Sequence, residues 1–81
     1  MRVEVLYFAA FRDAVGKDGE TCELADRSTV ADLWGALARR VPYFARFPVM
    51  PPAAVNREYA GPETTLVAGD EVAFLPPVAG G

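Results

Sequence analysis

Residues 26–41 read DRSTVADLWGALARRV. Val30, Leu33, Trp34, Leu37 and Val41 fall at i, i+3, i+4, i+7 and i+11, the spacing of one helical face. Ser28 or Thr29 is placed to cap the amino end, and Asp32 sits in the first turn near the positive end of the helix dipole. Arg39 and Arg40 lie at the other end, where cations are favoured, and Pro42 stops the helix. The spacing therefore predicts one amphipathic helix near 29–41, and everything else in the chain has to cover its apolar face.

The flanking segments have the other period. In MRVEVLYF (1–8), Val3, Val5 and Tyr7 alternate with Arg2 and Glu4, the pattern of a strand with one face in the core. AAFRDAVGKDG (9–19) has room for a short helical turn that GKDG ends. ETCELA (20–25) reads as a second short strand, paired with the first in a wide hairpin. On the far side of the helix, PYFARFPVMPP (42–52) carries four prolines and no period, so it reads as a loop. AAVNREYA (53–60) reads as a short strand broken by a turn-like Asn56, and GPETTLVAGD (61–70) as a connection turning at Gly69-Asp70. EVAFL (71–75) is the last strand. The expected architecture is α+β: a mixed sheet of four or five strands wrapped over one helix, with Val5, Tyr7, Leu33, Trp34, Leu37, Val72 and Phe74 in the core.

The bounds agree with a single small domain. With 81 residues, the chain buries only about 60% of its unfolded surface, and staples are absent: it has one cysteine and no histidine. Its 52% apolar composition has to supply the core. Cys22 sits mid-strand as a packing residue, and no metal site is expected. With 8 basic and 11 acidic residues and no like-charged block, the chain lacks the basic surface that nucleic acid requires. No leader-like or membrane-length apolar run is expected, which places the protein in the cytoplasm.

Two features are left over. The first is the end of the sequence, PPVAGG (76–81). Pro76 and Pro77 fix φ and stiffen the exit from the last strand, so the tail is expected to project. Val78 and Ala79 offer modest apolar contact. Gly80 and Gly81 lack the Cβ that would clash in a narrow tunnel. The division is then a folded domain over 1–75 and a flexible tail over 76–81, ending on a carboxylate ready for use. The second is a patch. Phe8 shares the parity of Arg2 and Glu4, and Leu75 that of Glu71 and Ala73, so both large apolar side chains are expected to face outward. Tyr59 joins them if its parity survives the turn at Asn56. Such a patch beside a projecting tail suggests a docking surface. Nothing resembles an active site: Asp70 is a turn former without a catalytic partner, and Arg39 and Arg40 read as solvated helix-end charges.

The element order and the Gly-Gly end resemble the β-grasp, ubiquitin-like fold. More specifically, LYFAAFRDAVG (6–16), STVADLWGAL (28–37), AAVNREY (53–59) and LVAGDEVAFLPPVAGG (66–81) resemble the family of molybdopterin synthase small subunits. The resemblance implies a sulfur carrier for molybdenum cofactor biosynthesis. The Gly81 carboxylate is adenylated by an E1-like activating enzyme using ATP and converted to a thiocarboxylate. It then donates sulfur to a cyclic pyranopterin phosphate held by the large synthase subunit, in a heterotetramer of two large and two small subunits. No cofactor is implied for this chain. Two other readings stand beside it: a sulfur carrier of another pathway, such as thiazole formation, and a ubiquitin-like modifier joined to lysines.

Overall fold

The computed structural model describes residues 1–77. In chain order its elements are β1 (Arg2–Leu6), α1 (Ala9–Val15), β2 (Gly19–Glu23), α2 (Val30–Arg40), α3 (Pro42–Ala45), β3 (Ala53–Val55), β4 (Glu58–Ala60) and β5 (Glu71–Phe74). The five strands form one sheet in the order β2-β1-β5-β3-β4. β1 and β5 run parallel at its centre, and every other pair is antiparallel. One face of this mixed sheet closes over α2, the expected β-grasp arrangement.

The helix forms for the reasons its sequence gives. Thr29 is the cap, in a reciprocal box with Asp32: the Asp32 amide donates to Thr29 Oγ1 (3.2 Å) and the Thr29 amide donates to Asp32 Oδ2 (2.9 Å). Val30, Leu33, Trp34 and Leu37 are buried, as the period requires. Pro42 does end α2, with Val41 extended before it, but it also takes the first position of α3, where a missing N–H costs nothing. The segment 42–52 is thus not wholly a loop. α3 carries Phe44 into the core at 1% exposure, between Phe11 (ring centroids 5.0 Å), Trp34 (4.8 Å) and Tyr7 (6.2 Å).

α1 is likewise more than one turn. It runs seven residues and buries Phe11 completely, and Gly16 closes it in the left-handed region at φ 88°. Residues 53–60 make two strands rather than one. Ala53–Val55 and Glu58–Ala60 form a hairpin whose central residues, Asn56 and Arg57, have φ of 51° and 72°. Positive φ at both central positions is the twist-matched two-residue turn. This hairpin is tied to the start of β5. Asn56 Nδ2 donates to Asp70 Oδ1 (2.9 Å), the Val67 amide to Asp70 Oδ2 (2.8 Å), and the Glu71 amide to Asn56 Oδ1 (3.0 Å). Asp70 is therefore a buried structural acceptor as well as a turn former.

Candidate functional site

Strand register decides what lies on the open face. Val3, Val5 and Tyr7 point to the core, and so do Val72 and Phe74. The residues between them point away. Leu6 pairs with Ala73, Ala73 with Ala54, and Ala54 with Tyr59. Paired residues share a face, so one row of the open side reads Leu6, Ala73, Ala54, Tyr59. This settles Tyr59, whose parity was ambiguous in the sequence: it is on the open face and 83% exposed. Phe8, 47% exposed, and the half-buried Leu75 each stand two residues further along from that row. The small side chains of Ala73 and Ala54 leave a trough between the larger ones. It opens into two hollows, of about 370 Å³ beside Leu6 and Phe8 and about 200 Å³ beside Tyr59. Leu75, Ala54 and Arg57 line both.

The other end of the same face is charged. Arg2 pairs with Glu23 (2.6 Å), and Thr21 Oγ1 donates to Glu4 Oε1 (2.8 Å). Hydrogen bonding to Arg2 and its positive charge hold the Glu23 carboxyl below its ordinary range. The apolar end is the one where β5 leaves the sheet. The Leu75 amide donates to the Pro52 carbonyl (2.8 Å), and the next two residues, Pro76 and Pro77, have no N–H with which to continue the ladder. Pairing stops there for a covalent reason. The remaining tail residues, Val78, Ala79, Gly80 and Gly81, lie outside the described residues.

On the core side, at the sheet edge, the structure holds a polar group that sequence reasoning missed. Tyr7 Oη donates to Glu20 Oε2 (2.5 Å), Arg40 Nη2 reaches the same oxygen (3.0 Å), and Lys17 Nζ lies 3.4 Å from Oε1. Arg40 is thus an ion-pair partner as well as a helix-end charge. Burial pushes the Tyr7 phenol far above its usual range, and the Glu20 hydrogen bond adds to the shift. For Glu20, burial pushes the carboxyl up, but hydrogen bonds from Tyr7 and Arg40 and the two nearby cations outweigh it, and the net direction is down. Cys22, on the same side of β2, is half-buried. Its thiol is pushed up by burial and by Glu20, which Arg40 and Lys17 only partly offset, so it is a poor nucleophile. Nothing in the sequence brings residues 7, 17, 20 and 40 together; only strand register and helix packing do.

A group whose folded pKa is depressed contributes stability above its unfolded pKa and loses it as pH falls through the folded value. Glu20→Gln is expected to cost about 1–2 kcal/mol at neutral pH, the worth of a charged hydrogen bond discounted for partial exposure. The gap between variant and parent should close as pH drops below the ordinary carboxylate range. Thermal melts at pH 7 and at pH 3 check this.

Among the described residues no helix is long and apolar enough to cross a membrane. The ThiS family profile matches residues 5–81. The molybdopterin synthase sulfur carrier subunit of Chlamydomonas reinhardtii is 36% identical over 83 residues, covering 100% of both chains. Among solved structures, a putative molybdopterin converting factor, subunit 1, from Pyrococcus furiosus superposes with a TM-score of 0.84 at 31% identity, covering 96% of this chain and 99% of that one. The small archaeal modifier protein 1 of H. volcanii superposes with a TM-score of 0.81 at 26% identity, covering 95% and 98%.

Proposed function

The chain belongs to the ThiS family, and from that premise we propose that it is the sulfur carrier subunit of a molybdopterin synthase. The observation that carries the reading is the full-length similarity to a subunit of that name, in a family match that runs through Gly81. The Gly81 carboxylate is the reactive group. An activating enzyme spends ATP to form the acyl adenylate, releasing pyrophosphate. A sulfur nucleophile then displaces AMP, which leaves with one carboxylate oxygen, and Gly81 ends in a thiocarboxylate. In the large subunit the sulfur attacks a carbon of the cyclic pyranopterin phosphate, and the oxygen substituent on that carbon leaves with the pair of the carbon–oxygen bond that breaks. Water cleaves the acyl–sulfur bond, returning the carboxylate and leaving sulfur on the pterin.

This chain's part is delivery. It needs no cofactor of its own, and it works in the cytoplasm in a complex of two large and two small subunits. Pro76 to Gly80 thread Gly81 into the partner, and the trough bearing Phe8, Leu75 and Tyr59 is the docking face. Three facts support that choice of face: its apolar side chains are open, small alanines shape it, and β5 ends its pairing beside it.

A second reading has one observation in its favour: the structural likeness to a protein named as a small archaeal modifier. In that reading Gly81 ends in an isopeptide on a lysine, and a covalent ladder on other proteins is the readout that separates the two.

Docking tests the proposal directly. Burying a side chain such as Phe or Leu is worth roughly 1.5–3 kcal/mol, and a carboxylate in its place must also be desolvated. Phe8→Glu and Leu75→Glu are each expected to weaken binding to the large subunit by at least about tenfold. Their far-UV spectra should match the parent, since both side chains lie outside the core. Calorimetric titration decides; parental affinity in both variants would move the docking surface elsewhere.

A further inference from the structure

On the reading that the large synthase subunit docks on this face, we infer that Arg57 is a specificity-determining residue, a cation set in an apolar trough to meet a carboxylate of that partner. The first observation is where it sits. Arg57 lines both hollows, as Ala54 and Leu75 do, so a segment lying along the trough passes it. The second is its lack of a mate. Arg2, Arg12, Lys17 and Arg40 each reach a carboxylate; among the described residues Arg57, like Arg27, Arg39 and Arg46, reaches none, and of these four it is Arg57 that lines the trough, although Glu71 lines the same hollow. The third is the backbone. Arg57 holds φ 72° at the second central position of a two-residue hairpin turn, where glycine after asparagine is the unstrained choice. A side chain is kept there against the preference of the turn, and it contributes no intramolecular ion pair among the described residues.

An exposed arginine fork at the rim of an apolar trough favours a planar carboxylate, which it can bind through two parallel N–H donors. Hydrophobic contacts with Phe8, Leu75 and Tyr59 then supply affinity, and Arg57 supplies register and discrimination against partners that present a cation or nothing at that point. Glu71 in the same hollow sharpens the choice, since a partner carboxylate has to approach from the Arg57 side.

The test is calorimetric titration of the large subunit with the parent, Arg57→Glu, Arg57→Gly and Phe8→Glu, at 0.1 M and 1 M salt. Arg57→Glu is expected to bind about tenfold more weakly at the lower salt, with the gap narrowing at the higher salt, where screening is strong. Arg57→Gly is expected to bind about threefold more weakly yet melt at or above the parent's midpoint, because the turn relaxes. A merely structural role for Arg57 would make stability and affinity fall together. Parental affinity of Arg57→Glu at both salts, with Phe8→Glu impaired, would overturn the role of Arg57 and leave the docking face standing. Parental affinity of all the variants would overturn the docking face as well.

Discussion

Deleting Gly81 is expected to abolish sulfur transfer while leaving the domain folded and able to dock. The carboxylate that remains would sit about 3.5 Å back along an extended chain. Displacement of a reacting group by even ~1 Å can cost a hundredfold in rate, so the loss should be near complete. Adding one residue after Gly81 should do the same, because the new carboxylate overshoots and carries a side chain where glycine alone is slim enough. Neither change touches a buried side chain, since the described core ends at Phe74. The separation of effects is what matters: parental melting, parental binding to the large subunit, and a rate at the background of the assay. Product formation by the Gly81 deletion at the parental rate would remove Gly81 from the chemistry.

Phe44→Ala is expected to be the most damaging single change to the fold. The ring is fully enclosed, stacked on Trp34 and edge-on to Phe11, in a cluster that also reaches Tyr7. Truncating a buried Phe costs about 3–5 kcal/mol, since the lost contacts add to the cavity left behind. A chain of this length has only some 4–12 kcal/mol of stability in total. The midpoint should therefore fall by more than about 10 °C, with near-UV signal lost well before far-UV signal. A melt within two degrees of the parent would mean that α3 does not carry the core.

That residue also marks the limit of what the sequence discloses. α2 and the strands β1 and β5 are legible because each repeats a period long enough to count. α3 has four residues, one turn, and no period can be read from one turn; its prolines suggest only interruption. Phe11 and Leu66 are hidden for the same reason, one in a seven-residue helix and the other outside every named element, although both are fully buried. The β3–β4 hairpin was half legible: Asn56 marked the turn, but Arg57 occupies the place where glycine would announce two paired strands. Of the docking face, Phe8 and Leu75 follow from strand parity. Tyr59 needed the observed pairing with Ala54, and Leu6 was readable by parity next to Glu4 but is too ordinary a residue to stand out. The Tyr7–Glu20–Arg40 group could not be read at all, since it exists only where β2 meets the end of α2.

The intact mass of this protein, followed through a reconstituted reaction, tests the sulfur-carrier function most directly. The components are the activating enzyme, ATP, a sulfide source, the large subunit and the pterin precursor. With the first three alone, the mass should rise by one oxygen-to-sulfur exchange, and the Gly81 deletion should show no rise. On addition of the large subunit and precursor, the gained mass should disappear as dithiolene product forms, with two thiocarboxylates consumed for each dithiolene, since each carries one sulfur. A mass that never changes under loading conditions, or that changes and then persists in the presence of large subunit and precursor, would contradict the assignment of this chain as the synthase's sulfur carrier.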